Sequence, residues 1–210
     1  MTRGAFLALE GGEGAGKSTQ AKMLVTALEA RGLSVDLTRE PGGTPGAEAI
    51  RELLLHPPGE GWGAHAEALL FAAARSDHVV KRIEPALVRG EWVICDRFVD
   101  SSRAYQGGAG TLGDDTITSL HQIGSQGIRP DLTILIEVDD VQTAARLAER
   151  DGETSDAIGG RDAEYHRQVA QSFRALAQAN PDGIAIVDGN GSAEQVHRAI
   201  MAAIDSRIAQ

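Results

Sequence analysis

The stretch Gly11-Gly12-Glu13-Gly14-Ala15-Gly16-Lys17-Ser18 constrains this chain more than any other, because it fits the pattern G-x-x-x-x-G-K-S/T. Its glycines let the backbone curl so that successive N–H groups point inward and form an anion-binding nest at a helix N-terminus. Lys17 is placed to reach terminal phosphates, and the Ser18 hydroxyl to sit on Mg²⁺. Spelling alone does not make a phosphate loop; the flanks decide. The apolar run Ala5 to Leu9 leads in as a strand. A helical pattern with Leu24, Ala27 and Leu28 on one face leads out and stops at Gly32.

The remaining chain repeats the alternation. Residues 33–38 read as a second strand, closed by the turn-rich loop Arg39-Glu40-Pro41-Gly42-Gly43-Thr44-Pro45-Gly46. Ala47 to Leu55 reads as a short helix, and residues 64–89 as a long one that Pro85 kinks or splits late. Trp92-Val93-Ile94-Cys95 is a continuous apolar run, as in a parallel strand buried on both faces, and it runs into Asp96-Arg97. Phe98 to Gly110 is polar and Gly-rich and reads as loop. A helix around Ile117–Ile123, a strand over 132–138, helices over 141–150 and 161–179, a last strand over 184–188 and a closing helix complete the pattern. Five strands alternating with helices predict an α/β fold with a parallel sheet covered on both faces, and ligands at the carboxyl ends of its strands. The phosphate loop, the 39–46 loop and Asp96-Arg97 all fall at that end.

Bulk properties narrow the function. With 210 residues the chain suits one sizeable α/β domain, and no apolar run approaches the roughly 20 residues of a membrane span. A net charge of −10 argues against nucleic-acid binding, which needs a Lys/Arg surplus, but not against binding one nucleotide in a locally positive loop. The single cysteine, Cys95, and the lack of a signal-peptide layout point to a reducing, cytoplasmic setting. No Asn-Lys-x-Asp guanine motif supports a GTPase, and no Ser-Gly-Gly signature supports a transporter ATPase. Four apolar residues followed by an aspartate after a phosphate loop place a carboxylate near Mg²⁺. Arginines cluster near strand ends and loops: Arg39, Arg51, Arg75, Arg97, Arg103, Arg150 and Arg161. Planar guanidinium groups suit a second phosphate-bearing substrate, so phosphoryl transfer is the expected chemistry.

Along essentially its whole length the sequence resembles the bacterial thymidylate kinases, a family of P-loop nucleoside monophosphate kinases. LEGGEGAGKSTQ, TREPGGTPGAE, ALLFAAARSDH, CDRFVDSSRAYQGG and GRDAEYHRQVAQSF carry the resemblance. It implies one three-layer P-loop kinase domain over 1–210 that transfers the γ-phosphate of ATP to dTMP with Mg²⁺, as a homodimer. By the same resemblance Gly11, Gly12, Glu13, Gly14, Ala15, Gly16, Lys17, Ser18 and Thr19 hold ATP, and Ser18 and Asp96 hold the metal. Glu13 approaches the acceptor sugar 3′-hydroxyl or a metal-bound water, Phe71 stacks on thymine, and Arg75 bonds the base. Arg97 clamps the acceptor phosphate, with Arg51 as a second clamp. Ser102 and Gln106 lie against base or sugar, and Tyr105 packs under the deoxyribose where a 2′-hydroxyl would clash. A mobile lid is implied at about 150–161. Gly14 occupies the loop position where an arginine would otherwise stand, so Arg150 or Arg161, with Arg146 one turn back, is expected to supply the catalytic charge on closure. Two alternatives stay open: a kinase for another nucleoside or nucleotide, and a nucleotide-binding regulator without activity.

Overall fold

The computed structural model describes residues 2–139, 142, 143, 146 and 160–208. The candidate lid residues 150–159, Arg150 among them, and most of the helix expected over 141–150 lie outside the described residues.

Five parallel strands form one sheet in the order β2-β3-β1-β4-β5, with β1 Phe6–Glu10, β2 Val35–Arg39, β3 Trp92–Asp96, β4 Leu132–Glu137 and β5 Ile184–Asp188. All five residues of β1 are buried, because this central strand has a neighbour on each edge and helices over each face. Alternation sorts its side chains. Leu7 and Leu9 join Leu24 and Leu28 of α1 (Lys17–Glu29) and Ile200 and Ile204 of the last helix, Ala193–Arg207. Phe6 and Ala8 face the opposite way, into a cluster with Ile83, Leu87, Val93 and Phe98. A third cluster puts Tyr105 and Leu135 against Val169 and Phe173 of the helix Ala163–Ala179. These are the two helical layers and the sheet between them that the alternating pattern predicted. No helix among the described residues is long and apolar enough to cross a membrane.

Local chemistry sets the boundaries. Helix α2 runs Pro45–Leu55, starting two residues earlier than expected. Thr44 caps it by accepting the Ala47 N–H at 3.2 Å, and Pro45 fits the first helical turn. The long helix breaks earlier than Pro85. After α3 (Ala64–His78) the chain widens into a π-helical turn, Val79–Ile83, before α4 (Glu84–Val88) resumes. A proline inside a helix removes a donor and crowds the carbonyl four residues back, and the wider turn just ahead of it takes up that mismatch.

The largest departure is at 98–110. This segment is helical: α5 (Val99–Ser102) passes into a π-helical turn over Arg103–Ala109. Its glycines serve close packing, since a Cβ on Gly108 would stand 2.1 Å from Ser172 Oγ. Tyr105 is therefore a buried residue of a helical turn, 4% exposed, and not a loop residue. Further helices, in chain order, are α6 (Asp114–Ser125), α7 (Ala163–Ala179) and α8 (Ala193–Arg207).

Candidate active site

The phosphate loop leaves β1 at Gly11 and enters α1 at Gly16, and both glycines have positive φ, 142° and 86°. Gly11 has no room for a side chain, because a Cβ there would lie 2.4 Å from Ile136 O. Lys17 folds back over the loop and donates to Gly11 O at 3.1 Å and Gly12 O at 2.8 Å. Burial, reinforced by the nearby Arg97 charge, lowers its ammonium pKa to about 8, while Asp96 and Glu13 oppose the shift.

Ser18, exposed at the start of α1, donates its hydroxyl proton to Asp96 Oδ2 at 2.6 Å. Asp96 ends β3, whose register beside β1 pairs it with Leu9. This hydroxyl and carboxylate are hard oxygen donors side by side, the kind of set that holds Mg²⁺ together with substrate phosphates. The residues present therefore fit the metal. Beside them a cleft of about 570 Å³ opens, bordered by Lys22, Arg39, Thr44 and Arg82.

One residue further on, Arg97 turns the chain with φ 69°, a left-handed conformation uncommon for a residue with a side chain. The turn aims its guanidinium back at the phosphate loop. Nη2 donates to Glu13 Oε1 at 2.6 Å, and Nη1 donates to Gly11 O and Ser101 Oγ, both at 3.2 Å. Burial works against its charge, but Glu13 and Glu10 among its neighbours keep its pKa above the ordinary value. The guanidinium also lies 5.2 Å from the Tyr105 ring centre. Burial raises the Tyr105 phenol pKa, with Arg97 opposing, and the hydroxyl has no hydrogen-bond partner among the described residues.

The base-contact candidates line a second wall. On α3, Phe71, Arg75 and His78 follow at three- and four-residue spacing. Phe71 is only half-buried, outside the three core clusters, whereas Arg75 and His78 are sealed. Arg75 Nε donates to Glu40 Oε2 at 2.7 Å, and its Nη2 donates to Ser102 Oγ at 2.8 Å. Gln106, buried in the π-helical turn, donates to Glu67 Oε1 at 2.8 Å. Arg51, on α2, donates from Nη1 to Pro41 O at 2.8 Å.

The two described basic residues of the lid region occupy different places. Arg146 reaches over the phosphate loop, with Nη2 donating to Gly189 O at 2.8 Å and Nη1 to Gly14 O at 3.4 Å. Arg161 points instead to the α3 wall, pairing with Glu67 at 2.5 Å and stacking on Tyr165 at 4.5 Å. Thr19 is exposed on the first turn of α1.

Sequence reasoning missed the residues that hold this wall. Glu40 is 5% exposed and bridges Arg75 and His78, whose other ring nitrogen meets Thr38 Oγ1 at 2.7 Å. Burial opposes ionisation of Glu40, but Arg75 and His78 together hold its pKa below the ordinary carboxylate value. A charged residue inside a Pro/Gly-rich loop looks solvated; only its contact with α3 says otherwise.

The family model described as thymidylate kinase matches residues 9–200 of this chain. A thymidylate kinase of Rhizorhabdus wittichii is 53% identical over 96% of this chain and 97% of its own length. One from Rhodopseudomonas palustris is 48% identical over 98% of this chain and 90% of its own. The crystal structure of thymidylate kinase from Ehrlichia chaffeensis superposes with a TM-score of 0.79 at 31% identity, covering 97% of this chain and all (100%) of that one.

Proposed function

The chain belongs to the thymidylate kinase family, and from that premise we propose that it transfers the γ-phosphate of ATP to dTMP, with Mg²⁺ held by Ser18 and Asp96. It is a kinase, and its fold is the five-stranded parallel sheet that the structural relative shares. One observation carries the reading of the site. The phosphate loop and the Arg97 turn meet directly, through Glu13, at the carboxyl ends of β1 and β3.

Each residue then has a task that its surroundings suit. The loop amides and Lys17 bind the donor phosphates and neutralise charge as the bond to the leaving group lengthens. Arg97 offers a planar pair of donors to the acceptor phosphate, exchanging its bond to Glu13 for that anion. Glu13, so released, is within reach of the acceptor sugar. The acceptor phosphate oxygen is already anionic at neutral pH, so the residues need to align donor and acceptor in line and no strong base is required. Mg²⁺, when bound, would share the charge of the donor phosphates. Phe71 supplies a half-buried face for the base, with Arg75, Ser102 and Gln106 at its polar edge. Tyr105 closes the floor under the sugar, where burial leaves no room for an added hydroxyl. Arg51 is a second contact for the acceptor phosphate, and Arg146, Arg150 or Arg161 supplies the remaining positive charge.

We also propose a cytoplasmic homodimer with no nucleic-acid partner. The apolar residues Leu69 on α3, Val80 in the π-helical turn after it and Ile123 on α6 stand exposed at 56, 61 and 83%, which suits a face covered by a second copy. Sedimentation showing only a 22.1 kDa species would refute that. The function itself is tested by ADP release across dTMP, dUMP, UMP, CMP, AMP and thymidine. Preference for any acceptor other than dTMP would overturn it, and ATP binding without turnover would favour a regulator.

A further inference from the structure

Glu10, the last residue of β1, is 1% exposed and has no part in the phosphate chemistry described above. Its side chain reaches into the turn that follows β3. Oε1 accepts the Phe98 N–H at 2.8 Å and the Ser101 N–H at 3.0 Å, and Oε2 accepts the Ser101 hydroxyl at 2.6 Å. With its proton committed to Glu10, Ser101 Oγ turns a lone pair toward Arg97 and accepts from Nη1 at 3.2 Å. A continuous chain therefore runs from Glu10 through Ser101 to the Arg97 guanidinium.

The backbone tells the same story. Arg97 sits at φ 69°, a conformation that persists in a side-chain-bearing residue only when its surroundings over-determine it. What surrounds it is Leu9 O, which accepts the Arg97 N–H at 2.9 Å, and Glu10, which accepts the Phe98 N–H and shares the Ser101 N–H with Phe98 O. Burying a carboxylate here is unfavourable. Burial first, then the charge of Asp100, pushes its pKa up to about 7, with Ser101 and Arg97 offsetting part of that. An uncharged acceptor would satisfy the two backbone donors without that penalty. The carboxylate adds a fixed hydrogen-bond direction for Ser101, which an amide reverses.

We propose that Glu10 is a positioning residue for phosphoryl transfer: by anchoring the 97–101 turn and orienting Ser101, it sets the direction in which Arg97 meets the acceptor phosphate. The inference rests on the reading of Arg97 as the acceptor clamp.

The test is steady-state kinetics of Glu10→Gln, Glu10→Asp, Ser101→Ala, Arg97→Ala and the Glu10→Gln/Arg97→Ala pair, each with a thermal unfolding curve. Glu10→Gln is expected to lower kcat/KM for dTMP by about 10- to 100-fold, the scale of a displaced catalytic group, while KM for ATP stays within about twofold. Ser101→Ala shifts the same parameter less, and Glu10→Asp recovers part of the loss. Glu10→Gln adds nothing once Arg97 is Ala, because the two act as one unit. If the Gln loss persists in full on the Arg97→Ala background, or if kcat falls in step with the folded fraction while both KM values stay unchanged, the inference fails and the clamp reading survives. If Arg97→Ala leaves dTMP kinetics unchanged, the clamp reading fails and the inference with it. Should Glu10→Gln not fold, Ser101→Ala alone and with Arg97→Ala decides by the same non-additivity.

Discussion

Glu40 and Arg75 meet at 2.7 Å with side chains only 4% and 3% exposed, so the wall proposed to read the nucleotide base hangs on a buried ion pair. Removing one member of such a pair leaves the other charge stranded away from water. Glu40→Gln is expected to cost about 3–5 kcal/mol by urea unfolding at neutral pH and to raise KM for dTMP more than KM for ATP. A cost below about 1 kcal/mol would mean that Arg75 escapes to solvent when its partner is lost.

Gly43 lies against the same network. It has φ 90°, and a Cβ there would stand 2.5 Å from both His78 Nε2 and Thr38 Oγ1. Gly43→Ala has to displace His78 and, through it, Glu40. Expected is a loss of about 1–3 kcal/mol from strain and crowding, read as a lower denaturation midpoint at unchanged slope. Gly12→Ala, where a Cβ meets nothing within 4 Å, is the matched control for stability.

Ser18→Ala removes the hydroxyl that lies 2.6 Å from Asp96 without touching the core. The Mg²⁺ concentration for half-maximal turnover should rise about 10- to 100-fold, the scale on which one lost polar group weakens a metal site. Unchanged Mg²⁺ dependence would remove Ser18 from the metal assignment.

His121 provides a pH signature outside the active site. It is 1% exposed, its Nε2 meets Ile128 O at 2.7 Å, and it packs edge-on to Phe98. Burial, with the positive field of Arg75, lowers its pKa to about 4. A depressed folded-state pKa contributes stability above the unfolded value near 6.5, and that stability is lost as pH falls from there toward 4. Over that window unfolding free energy should drop by up to about 1.4 kcal/mol per pH unit from this one group. His121→Gln, which keeps a donor for Ile128 O, should flatten the slope in denaturation series at pH 7, 6 and 5.

Arg146 and Arg161 should separate in kinetics. Arg146 spans Gly14 O and Gly189 O, so Arg146→Ala is expected to weaken ATP, raising its KM. Arg161 pairs with Glu67 on the α3 wall, so Arg161→Ala should act on kcat and on dTMP. Wild-type turnover in Ala variants of Arg146, Arg150 and Arg161 would remove the lid assignment.

The strands were legible because each is a short apolar run between turn signals, and the phosphate loop because its glycines and lysine stand in fixed order. Asp96 and Arg97 were legible as the residues on which β3 ends. Residues 98–110 were not, because glycine reads as a chain break, whereas Gly107 and Gly108 here clear space for Ile117 and Ser172. Glu40 and Glu10 were invisible for a related reason. Carboxylates read as solvent-facing, and their partners lie far along the chain, at Arg75 and His78 for one and at Phe98 and Ser101 for the other. Arg161 is expected, from its position after the lid, to supply charge on closure, and its pairing with Glu67, far back on α3, is not legible in the sequence.

The strand order β2-β3-β1-β4-β5 also governs when this site comes into being. β1 is made first and carries the phosphate loop, yet its flanking strands are Trp92–Asp96 and Leu132–Glu137, so both of its ladders close over long stretches of chain. Such closures are slow, because the entropy of a long loop is lost before any contact repays it. A chain emerging from the ribosome therefore holds a complete glycine-rich motif that cannot yet grip an anion. Until β3 and then β4 dock, an apolar strand with at least one open edge stands exposed, and that interval is when this kinase is most vulnerable to association with other unfinished chains.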